Sequence, residues 1–198
     1  MVDILSWWCY TINTETLTNH REEPKIPNWC SNHIEVRGTN STEIKRLADA
    51  FDAEQFCNAV VPVPDGVDAY NFCVENWGTK WDIDPYEACD RHDDGLGFSG
   101  SFDSAWSPPI AIVETLREFG FEVVLHYHES GMAFVGKWDD GFDECIEYGG
   151  IPVNHVRQSI GDDLDDFFGI TDMLEYYEDE EEDLSQWIRE GVDARENV

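Results

Sequence analysis

The chain has 198 residues, with 43 Asp or Glu against 12 Lys or Arg and a net charge of −31. Phosphate binding needs clustered Lys and Arg, so this charge excludes direct binding to DNA, RNA or an anionic membrane and makes any charged partner basic. A hydrophobic share of 41% with eight Trp supplies a core for one sizeable domain.

No apolar run reaches the length of about 18 residues that a membrane span needs. The N-terminus lacks the basic and then apolar pattern of a signal peptide. Six cysteines, at 9, 30, 57, 73, 89 and 145, are scattered without a CxxC pair. That spacing fits neither a zinc site nor a disulfide framework, and reads as buried thiols in a reducing cytoplasm.

Residues 1–27 read as an N-terminal arm, with Ile4 to Tyr10 as a strand and Asn13 to Pro27 as a linker. Ile34 and Val36 alternate with Glu35 and Arg37, a strand closed by Gly38. Asn40 or Ser41 caps a helix whose Ile44, Leu47, Ala48 and Phe51 fall at i, i+3, i+4, i+7. The short apolar run Phe56 to Val63 is expected as a buried strand ended by Pro62 and Pro64.

Asn76-Trp77-Gly78-Thr79-Lys80-Trp81-Asp82 follows, with two large rings beside a cation and a carboxylate. A helical turn would place Trp77 and Trp81 on one face, whereas Gly78 suits a tight loop. The stretch reads as a hydrogen-bonded structural knot or as a recognition surface with Lys80 and Asp82 at its edge. After an acidic loop, Gly97 to Asp103 alternates as a strand. Ser107 is expected to cap a helix carrying Ile112, Val113, Leu116 and Phe119, stopped by Gly120. Phe121 to His128 alternates, Ser130-Gly131 turns it into Met132 to Trp138 as a hairpin, and Phe142 to Tyr148 offers one more strand.

Residues 28–138 thus read as β-α-β, an irregular insert, and β-α-β-β. This pattern is a ferredoxin-like α+β sandwich, an antiparallel sheet with helices on one face. Residues 139–198 form an acidic C-terminal helical segment. Three stretches, Pro27-Asn28-Trp29-Cys30-Ser31-Asn32, Asn76 to Asp82, and Ala105-Trp106-Ser107-Pro108-Pro109, together resemble the YubB-like family of phage and conjugative-plasmid proteins. The pattern of Tyr127 to Gly136 is similar too, so the likeness covers roughly residues 27–138. The resemblance implies a ferredoxin-like domain in a mobile-element setting and no assigned reaction.

From Asp139 onward there are 20 carboxylates against Arg157, Arg189 and Arg195, and residues 162–183 hold 12 with no Lys or Arg. As one helix that window would be roughly 33 Å long. Its charges would fall about one per 2.7 Å, against about one per 1.7 Å of duplex axis or 3.4 Å per strand. Leu164, Phe167 and Phe168, then Leu184, Trp187 and Ile188, recur at helical spacing as docking stripes. Three readings follow: a phosphate-like field offered to a basic nucleic-acid channel, a solvated tail, or salt adaptation.

For chemistry, His126 and His128 share one strand face with Glu129 adjacent, a weak metal candidate. His92-Asp93-Asp94 lacks the spacing of a calcium loop, and Cys30 near His33 lacks an orienting third group. No GxGxxG, P-loop, HExxH or GxSxG motif is present, and no cofactor is expected.

The leading expectation is a non-enzymatic, cytoplasmic mobile-element protein that blocks a basic host defence complex, a CRISPR effector or restriction enzyme, as a DNA mimic. Its contact residues would be Asp162, Asp163, Asp165, Asp166, Glu178, Glu180, Glu181 and Asp183, with Trp187 as an apolar anchor. The alternatives are an adaptor binding protein or peptide through its sheet and the Trp77/Trp81 surface, and a metal-dependent enzyme using His126, His128 and Glu129.

Overall fold

Period-two alternation sets the first strand in the computed structural model, which describes residues 28–196. The arm expected over 1–27, with its strand at Ile4 to Tyr10, lies outside the described residues. Strand β1 (Trp29–Arg37) buries Cys30, Asn32, Ile34 and Val36 and turns Ser31, His33 and Glu35 to the other face. Helix α1 (Ser41–Asp52) is capped by Asn40, whose side chain accepts the N–H groups of Thr42 and Glu43, and it buries the expected Ile44, Leu47, Ala48 and Phe51.

The run expected as a strand over 56–63 is instead the short helix α2 (Phe56–Val60). Phe56, Cys57 and Val60 are buried at helical spacing. The Asp82 carboxylate, distant in sequence, accepts the N–H of Cys57 at 2.8 Å and of Asn58 at 2.9 Å. A tertiary contact thus satisfies the donors of the helix start, which a five-residue apolar run does not announce. Helix α3 (Ala69–Trp77) is capped by Asp68 and ends at Gly78, whose φ of +82° is the left-handed C-cap geometry. A Cβ there would also lie 3.2 Å from the Ile110 nitrogen.

Two short strands, β2 (Asp84–Pro85) and β3 (Asp90–Arg91), both pair with β4 (Gly97–Ala105). Helix α4 (Ile110–Glu118) starts at Pro109 without a side-chain cap, so Ser107 does not take the capping role expected of it. Its hydroxyl donates to the Gly78 carbonyl at 2.6 Å. Strands β5 (Glu122–Glu129), β6 (Phe134–Asp139) and β7 (Phe142–Glu147) follow as antiparallel neighbours.

The fold is α+β, and its sheet runs β2-β4-β1-β5-β6-β7, with β3 also on β4. Central β1 is antiparallel to both β4 and β5, so the β4-α4-β5 crossover spans it, the split βαβ arrangement of a ferredoxin-like sandwich. Strands β6 and β7 extend that sheet past residue 138 to Glu147. At one end the outermost strand β7 carries Asp143, Glu144 and Glu147; at the other β2 is two residues long.

Helices α1, α2 and α4 cover one face. Phe51 sits there with ring centroids 5.9 Å from Phe56, 6.0 Å from Phe98 and 5.8 Å from Phe102. Gly100 leaves room for it, since a Cβ would come within 2.6 Å of the Phe51 ring. The C-terminal helices α5 (Val153–Ile160) and α6 (Asp162–Phe168) and the start of α7 (Ile170–Glu196) pack on part of the opposite face. Val135, Tyr148, Val156, Ile160, Leu164 and Ile170 form a second apolar cluster there.

Candidate functional site

The acidic window does not form one rod. Gly169, at φ +63°, ends α6 and redirects the chain into α7. The two halves then use their carboxylates differently. In α6 the acids crowd the first turn, where the helix dipole favours them. Arg157, the one Lys or Arg between Lys137 and Arg189 in the sequence, reaches all but one of them. Its guanidinium lies 2.7 Å from Asp162, 2.8 Å from Asp165 and 2.7 Å from Asp166, and these partners, Asp166 first, hold it more firmly protonated.

Asp165 is 3% exposed and also accepts the N–H and hydroxyl of Thr171, each at 2.8 Å. It fastens α6 to α7 and cannot be a contact residue for a partner. Asp162 and Asp166 are likewise engaged inside the molecule, and Asp163 alone of this group has an exposed carboxylate without a role in that network.

In α7 the side chains turn outward. Glu175 and every residue from Tyr176 through Ser185 is exposed, and Trp187 is 71% exposed. Glu178, Glu180, Glu181 and Asp183 therefore all lie on a helix standing off the body, with Tyr176 donating to Glu180 at 2.6 Å. Tyr177 and Leu184, one heptad apart, fall on the same side of that helix.

Trp77 and Trp81 do not share a face. Trp77 is 4% exposed and donates its indole N–H to the Val61 carbonyl at 2.9 Å, whereas Trp81 lies beyond the Gly78 cap at the surface. Asp82 is spent on α2, and Asn76 donates back to the Phe72 carbonyl. Trp81 instead meets Trp29 edge to face, 6.2 Å between centroids, and Lys80 sits 4.4 Å over the Trp106 ring.

The three tryptophan-bearing stretches meet at this corner. Trp106 donates its backbone N–H to the Asn28 carbonyl, and Thr79 both accepts from the Ala105 N–H and donates to its carbonyl. Asn32 ties β1 to β4 through Ser104 at 2.8 Å. Trp106 itself holds φ +74°, a left-handed backbone that a bulky residue adopts only where its surroundings fix it. The contributions of Trp29 and Trp106 were not legible from spacing, because strand pairing across more than seventy residues brings them together.

The histidines of β1 and β5 are packed against aromatic rings. His33 and His126 face each other in the β1–β5 register, and Phe167 of α6 lies over both, stacked 4.7 Å from His126. His128 shares a 2.7 Å hydrogen bond with Tyr148 and packs against Phe168; burial pushes it down to about 4. His33 and His126 are lowered for the same reason.

Glu129 is buried and accepts the N–H groups of Gly131 and Met132 in the β5–β6 turn. Strand alternation also sets it on the face opposite His126 and His128. The candidate metal trio therefore is not brought together, and no group of three or more ligating side chains occurs among the described residues. Cys30 and His33 also point to opposite faces, and burial raises the Cys30 thiol far above its ordinary range. His92 and Asp94 are bound to Arg37.

Among the described residues no helix is long and apolar enough to cross a membrane. No family model matches the sequence, and no curated protein matches it. Among solved structures, the chain is similar to protein api92 from Yersinia pseudotuberculosis, of the family model DUF1281, at a TM-score of 0.36 and 20% identity. That match covers 50% of this chain and 41% of the other.

Proposed function

We propose that this is a non-enzymatic, acidic binding protein that uses α7 to occupy the nucleic-acid-binding surface of a basic partner. One observation carries the reading: the carboxylate run Glu178–Asp183 stands on an exposed helix, with no Lys or Arg between Arg157 and Arg189. Such a run costs the helix stability. Glu178 with Glu182, and Asp179 with Asp183, are like charges at i, i+4, each pair unfavourable by about 0.2–0.5 kcal/mol. A cationic channel would remove that repulsion, as it does for the phosphates of a duplex.

The contact set is Asp163, Glu178, Glu180, Glu181 and Asp183, with Trp187 as an anchor. The resemblance to YubB-like proteins supports a mobile-element source and a host defence complex, a CRISPR effector or restriction enzyme, as the partner in the host cytoplasm. The test is competition: the chain should displace a labelled duplex from such a complex, less so as salt rises. The quadruple variant E178Q/E180Q/E181Q/D183N should lose the effect, and undiminished displacement by it would reject the reading.

A further inference from the structure

The tryptophan corner has a chemistry of its own, apart from α7. Trp29, Trp81 and Trp106 are 36%, 42% and 40% exposed at the same end of the sheet. Clustered large aromatics in contact with water mark interaction sites, and Trp is among the residues most often central to them. The corner also shows what its indoles accept, since the Lys80 ammonium already lies over the Trp106 ring.

Beside the Trp29–Trp81 pair, the open face of the sheet turns acidic. Ser31, two residues along β1 from Trp29, pairs with Asp103 of β4, and Asp103 pairs in turn with Asp84 of β2. Two carboxylates directly opposite across a sheet repel. Asp103 accepts the Tyr86 hydroxyl at 2.6 Å and the Ser31 hydroxyl at 3.2 Å, and both bonds end on Oδ1. A carboxylate accepts up to about four hydrogen bonds, so its second oxygen has capacity for a further donor.

Trp29 and Asp103 are diagonal neighbours on one face, about 7–8 Å apart at the backbone. A guanidinium suits that spacing: it stacks on an indole with its plane while its edge forks to a carboxylate, which an ammonium does only as a point charge.

We infer that Trp29 and Trp81, with Asp103 and Asp84, form a recognition site for an arginine side chain on a basic polypeptide. The site lies on the ferredoxin-like body and stands whether or not α7 mimics nucleic acid. Charge complementarity selects the occupant: a chain of net −31 repels a second copy of itself and any nucleic acid, and draws in a cationic segment.

The test titrates the full chain with an eight-residue peptide alternating Arg and Gly, and with its neutral citrulline counterpart. The indole N–H signals of Trp29 and Trp81, assigned with W29F and W81F, report by NMR. The Arg peptide should move both signals saturably and the citrulline peptide should leave them in place. D103N should weaken the Arg peptide about ten-fold, the loss expected for one charge-assisted contact, and W81A should weaken it too.

E178Q/E180Q/E181Q/D183N should leave the response at Trp29 and Trp81 intact, which separates this site from the α7 reading. The inference is overturned if neither signal moves, or if citrulline moves both equally and the corner is merely apolar. It is also overturned if neutralising α7 removes the response while D103N does not.

Discussion

Residues 162–166 and 178–183 are similarly acidic in sequence, yet the structure puts them to opposite uses. The first group is closed on itself by Arg157 and Thr171, with Asp165 buried at the junction of α6 and α7. The second group stands exposed along a helix, with no Lys or Arg between Arg157 and Arg189 in the sequence. The difference teaches that charge density alone does not identify a contact surface. What matters is whether a fixed cation in the same molecule has already claimed the carboxylates, and whether burial makes that claim costly to break.

The contrast can be tested by stability. Asp165→Ala should cost about 2–3 kcal/mol, because it removes the buried acceptor of the Thr171 N–H and hydroxyl. Urea unfolding measures this, and a variant as stable as the parent would erase the distinction. Arg157→Ala should add little on top of Asp165→Ala, since the two act as one unit.

Acid should come next. His128 stays neutral in the fold down to about 4, whereas in the unfolded chain it takes up a proton below 6.5. Its contribution is therefore complete above pH 6.5 and is lost as pH falls toward 4, loosening α6 from the sheet where Phe168 packs on His128. His33 and His126 under Phe167 are lowered too and act in the same direction. The midpoint of urea unfolding should fall across that window, and His128→Gln should flatten the slope.

The smallest effect is expected on the other side of the comparison. Neutralising Glu178, Glu180, Glu181 and Asp183 should leave the unfolding midpoint of the body in place. It should slightly raise helicity at low salt by circular dichroism, because only like-charge repulsion is removed. A marked loss of stability would show that α7 is fastened to the body by those acids.

How far the sequence carried depends on the range of the contacts. Local period made β1, α1 and the β5–β6 hairpin legible, because side chains at fixed spacing choose their own face. It also placed Ile112, Val113 and Leu116 in the core, while Phe119, expected on the same stripe, ends α4 exposed. Helix α2 was missed because its start is satisfied by Asp82, twenty-five residues further on. Ser107 reads as a cap by type and position, but Gly78 takes its hydroxyl.

The same holds for the sites. The exposed acids of α7 are visible as composition, whereas Asp165 changes role only once Arg157 is seen to reach it. Arg157 did leave a trace, being the lone Lys or Arg in a long acidic stretch. The Trp29–Trp81–Asp103 corner left only its tryptophan-bearing stretches, without Asp103, since three strands and a loop must assemble before those groups become neighbours.

The outermost strand, β7, sets how this sheet behaves in a crowded solution. Asp143, Glu144 and Glu147 line the rim where another molecule's backbone would have to zip on, and the opposite rim is made of the two-residue strands β2 and β3 laid along β4. Edge-to-edge stacking into fibrils is thereby discouraged among the described residues, so a protein rich in β-structure and exposed rings can accumulate without templating its own precipitation.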